Sequence, residues 1–340
     1  MNFWVGIALT IVAAIMNGNF AVPLKRARQW SWENFWALYS LVAFLVIPWG
    51  LAGFTNPHLL ETFSSLSSSQ ILTPLLFGMG WGISQVLLGV SVARVGMALT
   101  FAIVIGLSAS LGTLIPLLTL NPRLFLTGKG VLLLIGIAIM VRGIYLCAKA
   151  GKERERMQAV STTHSPNEGS ANSGYSTALA ITIIAGVLTP MLSYALAFGK
   201  PVLQRAVDLG SSPANATYAV WVIALLGGLP VNLLYCAYLL NRNRTWSAFT
   251  ARTYDGLGAV LMGVLWMGSI AVYGVGTTYL GYSGAAIGWG LFSIFVILAA
   301  NVSGVIAGEW RGVGSRPLRN LSQGLVLLTV ASVAMAWGNR

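Results

Sequence analysis

Acidic residues are scarce: Asp and Glu number eight in 340 residues, against twenty Lys and Arg. Histidine and cysteine occur twice each. Charged residues make up 8% of the chain, where soluble domains carry roughly a quarter, and 56% of residues are apolar, so water is not its main solvent. His58, His164 and the few acids form no cluster that would carry acid–base or metal chemistry at a membrane surface, which argues against a membrane-embedded enzyme such as a lipid-linked glycosyl transferase. No Gly-x-x-x-x-Gly-Lys-Ser/Thr loop is present, so the chain does not itself draw on ATP, and no cofactor is expected. Cys147 and Cys236 lack metal-ligand spacing and sit at the ends of apolar runs, as free, packed thiols would. The net charge of +12 is spread in short clusters between apolar runs and forms no stripe for nucleic acid.

The sequence is rich in long apolar runs. A hydrocarbon core about 30 Å thick needs roughly 20 apolar residues in a helix, and ten segments qualify: 3–22, 33–54, 71–92, 96–119, 128–148, 175–199, 215–240, 256–280, 283–307 and 321–338. They are continuously apolar and lack the alternation of a barrel wall, so the expected fold is all-α and polytopic. The first run has basic residues after it and none before it, the reverse of a signal peptide, and is expected to be retained as a span. Fourteen Lys and Arg fall in the loops of one side, including Lys25, Arg26, Arg28, Arg94, Arg242, Arg244 and Arg252, against five on the other. The positive-inside rule makes the first side cytoplasmic and puts both termini outside, in an inner (plasma) membrane protein whose immediate partner is lipid. A monomer or a homodimer is expected.

Residues 149–174, polar and rich in Ser, Thr, Asn, Gly and Pro, read as a cytoplasmic linker between an N-terminal five-helix repeat (1–148) and a C-terminal one (175–340). Five is odd, so the second half must enter the membrane the other way up. An offset of 185 aligns Gly78, Trp81, Ser84, Gly89, Gly96 and Ser108 with Gly263, Trp266, Ser269, Gly274, Gly281 and Ser293. That register pairs spans 3 and 4 with spans 8 and 9 and puts a solute site where they face each other.

Several short motifs follow one another along nearly the whole chain: Trp30-Ser31-Trp32-Glu33 after Lys25-Arg26, Ile47-Pro48-Trp49, Trp81-Gly82-Ile83, Gly96-Met97, Gly112-Thr113-Leu114, Lys200-Pro201, Trp266, and Glu309-Trp310 before Arg316-Pro317. In their order and spacing the chain resembles the L-rhamnose/proton symporters, ten-span members of the drug/metabolite transporter superfamily. The resemblance implies import of L-rhamnose, a 6-deoxy sugar, together with a proton. Export or uniport of another small metabolite is the alternative that the wider superfamily offers.

A neutral sugar needs amides or hydroxyls and an aromatic platform. Spans 3 and 8 supply Trp81, Ser84 and Gln85, and Trp266, Ser269 and Tyr273, with 81 and 85 and also 269 and 273 four residues apart and so on shared faces. Asn17, Asn19, Tyr194 and Trp289 are further cavity candidates. Each has a structural alternative: the indoles as packing or interfacial anchors, the serines as close-packing residues, Asn17 or Asn19 as a helix cap, Asn232 and Asn301 as helix–helix hydrogen bonds. Pro48, Pro74, Pro116, Pro190 and Pro230 fall in or near spans, where each removes a backbone donor and can bend a helix.

No acid lies at a span centre. A proton carrier would have to be Glu33, Asp255 or Glu309 at the cytoplasmic edge, unless protons travel on water. Each could equally be a salt-bridge partner of a neighbouring Arg, and Glu33 and Glu309 could close an inner gate with Arg28 or Arg311.

Overall fold

The computed structural model describes residues 3–24, 27–95, 97–120, 122–161, 171–250, 254–281, 284–306, 310 and 312–339. The expected Glu309 and Arg311 lie outside the described residues. Among those described, the secondary structure is helical throughout, with no strand. Nine helical segments among the described residues are long and apolar enough to cross a bilayer.

The first run is shorter than expected. α1 (Phe3–Gly18) has 16 residues where 3–22 was anticipated. Its end coincides with Gly18, whose backbone lies against the backbone at Val296 and Ala300, and the chain then turns through Asn19 and Phe20.

The second span, Trp32–Thr55, is one rod with a widened middle. α2 (Trp32–Leu41) leads into a π-helical segment, Val42–Val46, and then α3 (Ile47–Thr55). The Ile47 N–H bonds to the Val42 carbonyl, five residues back. Pro48 explains the wide turn, because it brings no N–H and its ring crowds the carbonyl four residues earlier, at Phe44. A short α4 (Leu59–Ser64) precedes α5 (Ser68–Val95) and α6 (Met97–Leu120).

α7 (Gly128–Ser161) runs well past its apolar part, so the expected linker is helical as far as Ser161; Lys, Glu and Arg are good helix formers. Beyond the membrane it docks on the segment before the last helix. The Arg154 guanidinium lies 4.9 Å from the centre of the Trp310 ring, and Glu153 accepts from Asn320 Nδ2 at 3.1 Å. The sixth span is broken at Pro190 into α8 (Ala171–Leu188) and α9 (Met191–Phe198), followed by α10 (Lys200–Asp208). α11 (Pro213–Asn243) is capped by Ser212 Oγ, which accepts from the Asn215 N–H, and ends at Arg244 with φ +56°. α12 (Tyr254–Tyr279), α13 (Gly284–Ile306) and α14 (Ser315–Asn339) complete the chain.

Helix neighbours are specific. α5 packs on α11, α8 and α9; α12 packs on α1, α2 and α11; α6 touches α7, α8 and α13; α13 touches α1 and α14; α7 pairs with α14. The tightest pass is α5 against α11, which lack of side chains permits. A Cβ on Gly78 would sit 1.7 Å from the Ala224 carbonyl oxygen, and one on Gly227 2.0 Å from that of Leu75. Without a hydrophobic drive between spans inside lipid, such close backbone packing supplies much of the association energy. Both cysteines are free, and Cys236 is buried.

Candidate substrate site

The offset-185 tryptophans meet. Trp81, midway along α5, and Trp266, midway along α12, stack with ring centroids 5.2 Å apart and planes 23° from parallel, and they are 3% and 6% exposed. Phe44, in the π-helical segment, sets its ring edge-on to both, at 5.1 and 5.2 Å. Tyr39 closes a third side, 5.5 Å from Phe44 and 6.2 Å from Trp266. From Tyr39 the aromatic chain continues through Trp36 at 4.9 Å to Trp32, which stacks on Trp36 at 4.9 Å and 16°. Trp36 Nε1 donates to Asn232 Oδ1 at 2.9 Å, and Asn232 Nδ2 donates to the Gly228 carbonyl at 3.0 Å, so Asn232 is the interhelical bond expected of it.

Ser84 and Ser269 flank the stack, each tied to a neighbouring helix. Ser84 Oγ bonds to the Ala185 carbonyl at 2.9 Å and to Thr189 Oγ1, both on the sixth span's side. Ser269 Oγ accepts from Asn17 Nδ2 at 2.8 Å and donates to the Trp266 carbonyl at 2.6 Å. Asn17 is thereby brought to the stack, whereas Asn19 Nδ2 donates back to the Ile15 carbonyl of its own helix. Gln85 is half-buried, and its amide has no hydrogen bond to a described residue.

Tyr273, Trp289 and Tyr194 belong to a neighbouring group. Tyr273 is fully buried, 5.8 Å from Trp289 and 5.0 Å from Phe292. Trp289 Nε1 donates to Ser108 Oγ at 3.4 Å, and the Tyr194 hydroxyl donates to the Leu111 carbonyl at 2.9 Å. Among the buried polar atoms without a partner are Ser40 Oγ, next in sequence to Tyr39, and Trp221 Nε1, against Gly274 two turns along α12 from Trp266. Unpartnered buried donors are uncommon in proteins and cost about 1–3 kcal/mol each.

Trp36, Tyr39, Phe44 and Asn232 were not among the residues singled out for the site from sequence. Trp32, Trp36 and Tyr39 recur at i, i+4 and i+7, a helical stripe that was there to be found. Phe44 falls off that stripe and carries no periodic signal.

Two buried acids, Asp255 and Glu33, sit at one end of the bundle. Asp255, 5% exposed at the start of α12, is wrapped by the loop before α2: its carboxylate accepts the backbone N–H groups of Arg28 at 3.2 Å, Gln29 at 2.8 Å and Trp30 at 2.9 Å. Glu33, 4% exposed, accepts through Oε1 from Asn243 Nδ2 at 3.0 Å and Thr245 Oγ1 at 2.8 Å. Its partners are therefore neutral, not the Arg28 anticipated for a gate pair, whose backbone is given to Asp255.

Chemically, the stacked indoles offer flat apolar faces to C–H groups, and the orphan donors offer hydrogen bonds to hydroxyls. A bundle of apolar spans with a buried aromatic box at mid-helix defines a polytopic membrane protein of the carrier type. The chain belongs to the L-rhamnose-proton symport family, described as L-rhamnose-proton symport protein (RhaT), whose profile matches residues 2–339. Among its relatives, the L-rhamnose-proton symporter of Escherichia coli (strain 55989 / EAEC) is 27% identical over 336 residues, covering 96% of this chain and 95% of the relative. The symporter of the same name from Shigella boydii serotype 18 (strain CDC 3083-94 / BS512) matches with the same identity and coverage. That of Escherichia coli (strain SMS-3-5 / SECEC) is 27% identical over 342 residues, covering 98% of this chain and 97% of the relative.

Proposed function

We propose that this protein is a secondary active importer of L-rhamnose, taken up with a proton across the cytoplasmic membrane by alternating access. The observation that carries the substrate reading is the Trp81–Trp266 stack, buried at mid-helix where α5 and α12 meet. A pyranose ring presents C–H patches to aromatic faces and hydroxyls to polar groups at its rim. Binding it between the indoles needs them about 7–8 Å apart, two van der Waals separations of carbon on carbon, so the pair, stacked at 5.2 Å, would part to admit it. Gln85, Asn17 and Ser269 border this site, and Ser40 Oγ and Trp221 Nε1 are the unsatisfied donors for hydroxyls.

Ten spans in two inverted fives fit this reading, with α1 as the short first span. The helix contacts support it: α5 on α8 and α9 matches α12 on α1, α5 on α11 matches α12 on α2, α6 on α8 matches α13 on α1, and α6 on α7 matches α13 on α14. Equivalent residues also make equivalent contacts. Gly78 abuts Ala224 on α11, and Gly263 abuts Val42 at the end of α2; Ser84 is tied to α8, and Ser269 to α1. A two-fold axis through the Trp pair is what alternating access in inverted repeats uses.

The experiment is uptake of labelled L-rhamnose into proteoliposomes with and without an inward proton gradient. The expected result is accumulation that the gradient increases. No uptake in either condition rejects the substrate, and uptake indifferent to the gradient keeps the sugar and removes the proton.

A further inference from the structure

Symport requires a group that binds and releases the proton, and the position of that group in this fold rests on the symport reading above. Among the acids whose side chains are described, Glu33 and Asp255 are the buried ones. The rest are in contact with water or with surface partners: Glu61 beside His58, Glu153 beside Arg316 and Asn320, and Asp208 accepting from Gln204.

Asp255 is saturated. Three successive backbone N–H groups converge on its carboxylate with the Arg28 backbone among them, a fixed anchor that has no reason to exchange a proton. Glu33 differs in its side-chain partners. Both of its side-chain donors come to a single oxygen, Oε1; both are neutral; and no cation among the described residues lies within salt-bridge distance. Its own backbone N–H also bonds to the carboxylate, and Oε2 is the oxygen that takes no side-chain hydrogen bond. The groups around it are the Cys236 thiol from α11, within electrostatic reach, Arg242 and Arg244 at the exposed end of α11, and the Arg28–Asp255 pair just upstream.

What Glu33 holds is a join between the two halves of the chain. Asn243 and Thr245 flank Arg244, a non-glycine residue in the left-handed region at φ +56°. Helices commonly end this way on Gly; a residue with a Cβ stays there only when its surroundings hold it. Here the surroundings are α2: Glu33 takes both flanking side chains, and Asn34 Nδ2 donates to the Thr245 carbonyl at 3.0 Å. The clamp spans the start of the second span and the turn joining the seventh to the eighth.

We propose that Glu33 is the proton-binding group of the transport cycle and that its charged carboxylate latches the 243–245 turn. Hydrogen bonds to an ionised acceptor are roughly twice as strong as neutral ones. A proton on Oε2 therefore loosens the latch and frees the strained turn, and loss of the proton restores it. The proton binds a carboxylate oxygen and leaves from it, with no other bond made or broken. Loaded with proton and sugar, the carrier opens at this end; emptied of both, it closes.

The test uses the full chain in proteoliposomes with a trapped pH-sensitive dye, reading proton uptake when L-rhamnose is added. Wild type acidifies the lumen on sugar addition, and Glu33→Gln loses that signal at least tenfold. Sugar-induced change in tryptophan fluorescence verifies that the variant is folded. Thr245→Val, which keeps the acid and removes one donor to it, retains proton uptake but moves the pH midpoint of sugar uptake upward, because the charged form has lost a partner; this variant carries the test if Glu33→Gln does not fold. Proton uptake by Glu33→Gln within twofold of wild type, or an unmoved midpoint in Thr245→Val, overturns the proposal. Wild-type sugar uptake without proton movement overturns it and leaves sugar transport standing. Wild type that moves no L-rhamnose sinks the function reading and the latch with it.

Discussion

In the proposed cycle Trp81 and Trp266 exchange a ring contact with each other for ring contacts with a sugar, which makes their faces matter more than their nitrogens. An aromatic contact is worth about 0.5–1.5 kcal/mol beyond its burial, which makes Trp81→Ala or Trp266→Ala weaken L-rhamnose binding by roughly two- to twelvefold. Trp81→Phe keeps a face and should recover most of that loss, as measured by the concentration dependence of uptake. Full loss of uptake in Trp81→Phe with normal protein yield would mean that the indole acts by hydrogen bonding or shape instead. The two indoles were legible in the sequence because an offset that also aligns glycines and serines is hard to obtain by chance with tryptophan. Tyr39 and Phe44 were not, because a large aromatic in an apolar run looks the same whether it packs against lipid, a helix or a ligand. Glu33 was readable as an acid at a helix start, but its neutral partners lie more than two hundred residues away in the chain, and nothing local announces them.

At the level of helices, apolar length predicted nearly every span, since a bilayer imposes one thickness on all of them. The departures have local causes: Pro190 splits the sixth span, Pro48 widens the second, and Gly18 ends the first early. The helix beyond residue 148 was hidden by polarity, because charge reads as linker whether or not the backbone continues to coil. The α5–α11 pass gives a sharp stability prediction. Gly78→Leu puts carbon where the Ala224 carbonyl is, and should lower both the folded yield and the detergent melting temperature, whereas Gly53→Leu, with open space around it, should leave both within error. Pro48→Ala restores a donor and removes the crowding of the Phe44 carbonyl. If the π-helical segment sets Phe44 against the indoles, this variant folds normally and shows a several-fold change in uptake.

For the molecule as a whole, the proposed inverted arrangement and the excess of basic residues on one side make a joint prediction. Single cysteines placed near residue 2 and near residue 339, in a background with Cys147 and Cys236 replaced by Ser, should both react with a membrane-impermeant maleimide added outside intact cells. Reaction of one terminus only would require an odd number of spans and would remove the inverted pairing. The pairing was partly readable beforehand through the 185-residue offset, yet its strongest support is which helices touch, a property of the folded chain that no periodicity encodes.

α1 adds a constraint of another kind. At 1.5 Å per residue its 16 residues reach about 24 Å, roughly 6 Å less than the hydrocarbon core of an average bilayer. If it is a span, tilting only shortens its reach along the membrane normal, and its packing on α12 and α13 holds it in place. Lipid next to it must thin instead, at a modest cost per ångström of mismatch. With α1 as a span, the carrier should favour short acyl chains: reconstituted in lipids of increasing chain length, its transport rate should peak below the thickness that suits the longer helices and fall as the tails lengthen.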